Sequence, residues 1–92
     1  MVKVEITFHG AFTKITGEKT VEVDVSTLRE AIDVLADKYG EKFKDRVYDE
    51  RGGLRRFVNI YVNGRNICFL GQLDTELKHR DEISVVPAVG GG

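Results

Sequence analysis

Thr20-Val21-Glu22-Val23-Asp24-Val25-Ser26-Thr27-Leu28-Arg29-Glu30-Ala31-Ile32-Asp33-Val34-Leu35-Ala36-Asp37-Lys38-Tyr39 changes its period halfway along. Up to Val25 the valines alternate with Thr20, Glu22 and Asp24, the two-residue repeat of a strand with one dry and one wet face. Beyond it, Leu28, Ala31, Ile32, Leu35, Ala36 and Tyr39 recur at three- and four-residue intervals. That spacing makes one apolar stripe along a helix, and the stripe must lie on a sheet. Thr27-Leu28-Arg29-Glu30 marks the change as a capping box: the Thr27 hydroxyl accepts a backbone N–H of the first turn and Glu30 reaches back. Gly40 supplies the left-handed residue that ends the helix.

Working outward, Val2, Val4, Ile6 and Phe8 alternate with Lys3, Glu5, Thr7 and His9 in a first strand. Residues 10–18, with Gly10 and Gly17, read as a loop around a short turn, so the first two strands pair as an antiparallel hairpin with a long connection. On the other side, Phe43 and Val47 sit four apart in a short helical turn, and residues 49–56 form a polar loop. Val58, Ile60 and Val62 then alternate with Phe57, Asn59, Tyr61 and Asn63. Asn63-Gly64 is a tight turn, since both residues tolerate positive φ, and Ile67-Cys68-Phe69 is the expected short return strand. Leu73 and Leu77 are apolar anchors in a loop, and residues 81–86 form a last strand that Pro87 terminates.

The order is strand, strand, helix, strand, short strand, strand. A crossover helix after a hairpin lets the last strand lie parallel to the first. The expected fold is therefore α+β: a β-grasp with a mixed sheet of about five strands and one main helix across it. Residues 1–87 are expected to form the domain and residues 88–92 a flexible tail.

Composition narrows the function. Ninety-two residues suit one core, 41% apolar content is enough to fill it, and a formal net charge of −1 offers no positive field for nucleic acid or acidic membranes. No apolar run approaches a membrane span and the N-terminus lacks a signal-peptide block, so neither membrane nor export is expected. One cysteine, Cys68, forms no internal disulfide and with two distant histidines makes no zinc site. The expectation is a cytoplasmic protein without metal or cofactor.

A self-contained active site would need a nucleophile beside an oriented base. His9 falls on a wet strand face, His79 in a polar turn, and Cys68 reads as a packed or half-buried thiol. No glycine-rich loop joins a strand to a helix, so there is no phosphate cradle. Arg51, Arg55 and Arg56 sit beside Asp49 and Glu50, which cancel part of their charge; the cluster reads as a solvated loop or as a contact for an acidic partner. Phe57 and Tyr61 stand one pleat apart on the face opposite the helix. Either another loop covers them or they form an apolar patch of the kind that marks a protein interface. After Pro87, Ala88-Val89-Gly90-Gly91-Gly92 has no large side chain, and by itself it reads as a frayed end.

The segments Phe57-Val58-Asn59-Ile60-Tyr61-Val62-Asn63-Gly64, Leu73-Asp74-Thr75-Glu76-Leu77 and Asp81-Glu82-Ile83-Ser84-Val85-Val86-Pro87-Ala88-Val89, followed by glycines, closely resemble the ubiquitin-like sulfur-carrier family. That family includes molybdopterin-synthase small subunits, the thiamine-pathway sulfur carrier and archaeal small modifier proteins. The resemblance implies that an E1-like enzyme adenylates the Gly92 carboxylate with ATP, with Gly90 and Gly91 presented to its active site. The product is then thiocarboxylated, to serve a partner such as the large subunit of molybdopterin synthase, or joined to a lysine of a target protein. On this reading the chain is a carrier or modifier rather than an enzyme, although it could be the small subunit of a synthase-type complex. A β-grasp binding module that is never activated is the alternative. Ordering a glycine tail costs about 1–2 kcal/mol per residue, so affinity for the activating enzyme is expected on the folded surface, at Phe57, Tyr61, Phe69 and Leu70. Two departures from the family pattern stand out: three terminal glycines where two are usual, and Arg80 where glycine is common.

Overall fold

The two alternating runs pair as expected. In the computed structural model, which describes residues 1–55 and 58–87, β1 (Val2–Phe8) runs antiparallel to β2 (Thr20–Val25), with Val4 opposite Val23 and Ile6 opposite Val21. Helix α2 (Leu28–Tyr39) crosses over, a second helix of the layer, α3 (Glu41–Val47), follows, and β3 (Val58–Val62), β4 (Arg65–Asn66) and β5 (Glu82–Pro87) complete the sheet. Strand order is β2-β1-β5-β3-β4, with β5 parallel to β1 and antiparallel to β3. This is the mixed five-stranded α+β arrangement expected of a β-grasp.

The capping box forms as read. Thr27 Oγ1 accepts the Glu30 amide at 3.3 Å, and Glu30 Oε1 accepts the Thr27 amide at 2.9 Å and the Ser26 amide at 2.8 Å. These three bonds satisfy donors that an uncapped helix start would leave to water. Leu28, Ala31, Ile32 and Leu35 are fully buried against Val4, Ile6, Phe8, Ile60, Ile83 and Val85 from the sheet. An aromatic group closes one end of this core, with Phe8 edge-on to Tyr39 (centroids 5.7 Å) and to Phe43 (6.1 Å). Gly40 ends α2 differently from the expectation. Its φ is +84° but its ψ is −165°, a mirror-extended conformation rather than the left-handed helical one, and it starts α3 directly. Essentially only glycine occupies that region.

Two further expectations need correction. Residues 10–18 are not a plain loop: α1 (Ala11–Thr16) lies there, because Phe12 and Thr16 share a buried face and Phe12 packs on Phe43 at 5.9 Å. Nor do Ile67-Cys68-Phe69 form the return strand. That strand is Arg65–Asn66, after which Asn66 Oδ1 accepts the Cys68 amide at 2.9 Å and turns Ile67–Phe69 into a 3-10 helix. The turn sends Ile67 into the core and leaves Cys68 exposed, not packed or half-buried.

Candidate functional site

β5 is the strand that leads into the glycine segment, and it is central. Residues 82–85 pair with residues 5–8 of β1, and residues 83–87 pair with residues 58–62 of β3. As far as Val85 the strand cannot fray without breaking two ladders, and the β3 ladder alone holds it on to Pro87. Proline has no amide to donate, which suits the last position of the strand.

The sheet face away from the helices changes character along β5. At its start, Glu22, Glu5 and Glu82 lie side by side on three adjacent strands. Like charges directly opposite oppose the pairing, and Lys3 and Arg80 line the same depression and offset them. Toward Pro87 the face is neutral: Thr7 and Tyr61 flank Ser84, and Asn59 is opposite Val86. Tyr61 is half-buried there, between Ser84 of β5 and Asn66 of β4.

The other sites read from the sequence scatter. Phe69 is 80% exposed on its 3-10 turn. Leu70, next to it, packs against the core instead and shares a depression with Val62, Asn63 and Thr75. Phe57, Gly90, Gly91 and Gly92 lie outside the described residues, as does Arg56 of the basic cluster. His9 and His79 are exposed, and His79 Nδ1 faces the Lys3 amide at 3.4 Å. Among the described residues no group of three His, Cys, Asp or Glu is arranged to hold a metal ion, and no helix is long and apolar enough to cross a membrane. One feature beside Pro87 escaped the sequence reading: the turn at His9 and Gly10. Its signal was the helical spacing of Phe12 and Ile15, which makes the segment part of the fold.

Known proteins agree with this architecture. The model of the ThiS family matches residues 6–92. The sulfur carrier protein CysO of Mycobacterium tuberculosis is 38% identical over 78 residues, 83% of each chain. The solution structure of small archaeal modifier protein 1 from Methanosarcina acetivorans superposes with a TM-score of 0.89 at 30% identity, covering 100% of this chain and 98% of that one. A chain from the BexX/CysO complex of Amycolatopsis orientalis gives 0.84 at 36% identity, covering 97% and 99%. With most of the chain matched and the β-grasp sheet complete, the protein belongs to the ThiS family of ubiquitin-like proteins, whose members similar to it are sulfur carriers and small archaeal modifiers.

Proposed function

We propose that the carboxylate of Gly92 is the reacting group of this protein, activated by an E1-like enzyme with ATP and then converted to a thiocarboxylate. The observation that supports this reading is where the sheet releases the chain. β5 is paired on both sides as far as Val85 and along β3 to its last residue, Pro87, and the five residues beyond it end in three glycines within the family match. At roughly 3.3–3.6 Å per extended residue, that segment can carry a carboxylate well clear of the domain. Its last three residues present only backbone to a narrow channel.

A carboxylate is a poor electrophile, and adenylation corrects that. A carboxylate oxygen attacks the α-phosphorus of ATP and pyrophosphate leaves. Hydrosulfide, or a donor at the same oxidation level, then attacks the acyl carbon. The bond to AMP breaks, a proton is released, and a thiocarboxylate remains to hand sulfur to a biosynthetic enzyme. Conjugation is the second reading, supported by the full-length likeness to an archaeal modifier: a lysine amine attacks the same carbon, AMP leaves, and an amide forms. Recognition falls to the folded surface, where Tyr61 and Phe69, with Phe57 and Leu70, are the candidate contacts. The reading places the protein in the cytoplasm, where the activating partner has ATP.

Intact-mass measurement after incubation with the activating enzyme, ATP and sulfide tests this. One oxygen replaced by sulfur is the expected product, and loss of Gly91 and Gly92 should abolish it without lowering the melting temperature. Wild-type protein that forms no adenylate would leave the non-activated binding module as the better description.

A further inference from the structure

The parallel ladder between β1 and β5 ends with Phe8 opposite Val85. One residue further, the His9 amide still donates to the Val85 carbonyl at 3.1 Å. Continuing the register would put Gly10 opposite Pro87, and there the chain instead turns, with Gly10 at φ +56° and ψ −131°. A Cβ built on Gly10 would stand 2.9 Å from Pro87 Cγ and 3.4 Å from Cδ. Carbon atoms do not rest at 2.9 Å, and the ring is bonded at both ends to its own backbone. A side chain at Gly10 therefore moves Pro87 or forces its ring to repucker. On its other edge Pro87 is paired with Val58. The ring is thus seated between a strand and a bare backbone turn at the point where residues 88–92 begin.

We propose that Gly10 is a positioning residue for the C-terminal arm: its missing side chain seats the Pro87 ring and fixes the direction in which the arm leaves the sheet. The proposal deepens the reading of Gly92 as the reacting group and rests on it for its kinetic consequence. The sequence beyond Pro87, Ala88-Val89-Gly90-Gly91-Gly92, offers no large side chain with which to correct an error of aim at its root. The anchored end is where direction is set, and displacements on the scale of 1 Å at a reacting centre can cost about 100-fold in rate.

Two strains act at Gly10, an unfavourable backbone conformation and the clash, and the double variant below separates them, because it keeps the backbone strain and removes the ring. Gly17, in the left-handed helical region (φ +71°, ψ 9°) with nothing within 4 Å of a built Cβ, gives the milder cost of positive φ without a clash. Adenylation by the activating enzyme and melting temperature would be measured for Gly10→Ala, Gly17→Ala, Pro87→Ala and the Gly10→Ala/Pro87→Ala double variant. Gly10→Ala should lower kcat by roughly 10- to 100-fold at nearly unchanged KM, Gly17→Ala should keep kcat, and the double variant should recover to the level of Pro87→Ala. Equal kcat in the two glycine variants, or no recovery in the double variant, would overturn the proposal. A second measurement needs no activity: a nitroxide on the exposed Cys68 broadens amide signals of residues 88–92 according to their distance. That profile should change in Gly10→Ala and not in Gly17→Ala. An unchanged profile would also overturn the proposal, whereas wild-type protein that is never adenylated counts against the Gly92 reading alone.

Discussion

Asn63 and Glu82 hold each other through two hydrogen bonds: the Asn63 amide donates to the Glu82 carbonyl at 2.8 Å, and the Glu82 amide donates to Asn63 Oδ1 at 2.9 Å. Asn63 Nδ2 also donates to Asp81 Oδ1 at 2.9 Å, and Asp81 Oδ2 accepts the Lys78 amide at 2.8 Å. A residue chosen for positive φ in a tight turn (φ +53°) thus also fastens the start of β5.

Replacing Asn63 with glycine separates the two roles, because glycine keeps the turn and loses the side chain. Two side-chain hydrogen bonds at about 0.5–1.5 kcal/mol each predict a loss of about 1–3 kcal/mol. For a domain of this size that lowers the melting temperature by roughly 4–8 °C per kcal/mol. Thermal unfolding followed by circular dichroism reads it directly, and a melting temperature equal to wild type would show that the clamp contributes nothing.

Arg80 occupies positive φ (+73°) in the turn before β5, with its amide donating to the Lys3 carbonyl at 2.8 Å. A non-glycine residue there is strained by about 1–2 kcal/mol, partly offset by the greater unfolded-state freedom of glycine, about 0.4–1 kcal/mol. Arg80→Gly should therefore raise the denaturation midpoint modestly, with an unchanged urea m-value. A lower midpoint would mean that the Arg80 side chain makes a contribution larger than the strain. A raised midpoint would make arginine at this position an energetic cost tolerated in a turn.

Tyr39 is pushed up to about 12 by burial, and its hydroxyl donates to Glu18 Oε1 at 3.2 Å. A raised folded-state pKa stabilises fully below the unfolded value of 10.0, and the contribution is lost as pH rises through about 12. Melting temperature should fall between those limits, and Tyr39→Phe should flatten the fall. A slope unchanged in Tyr39→Phe would assign the alkaline loss elsewhere, with Tyr48 the next candidate, since burial and its bond to Asp33 raise it too.

At the acid end the sign reverses. Backbone amides of Ser26 and Thr27 hold the Glu30 carboxyl below its usual range, and those of Gly53 and Arg51 do the same for Asp49. Their stabilisation is complete above the unfolded carboxyl values and is lost as pH falls through the lowered ones. Glu30→Gln should shrink the acid-side loss of melting temperature, and an unchanged acid limb would remove the capping box from its cause.

Phe69→Ala removes a ring that is 80% exposed, so stability should stay within about 0.5 kcal/mol. If the ring contacts the activating enzyme, KM for the carrier should rise several-fold at constant kcat, the reverse of the pattern expected for Gly10→Ala. Unchanged steady-state kinetics would take Phe69 out of the partner surface.

The period of the apolar residues determined the strands Val2–Phe8, Thr20–Val25 and Val58–Val62 and the helix Leu28–Tyr39, because each face must find one core. Thr27 and Glu30 determined the helix start through bonds made within four residues. The Gly90-Gly91-Gly92 motif is likewise legible in one dimension. Tertiary structure decided the rest. Helix α1 is too short to hold by propensity and exists because Phe12 docks on Phe43. The turn at Ile67–Phe69 follows from a side-chain cap on Asn66 that no periodicity encodes. Neither the flanking of β5 by β1 and β3 nor the seating of Pro87 on Gly10 can be read locally. Each joins segments dozens of residues apart, and only chain packing in three dimensions fixes which backbone meets which ring.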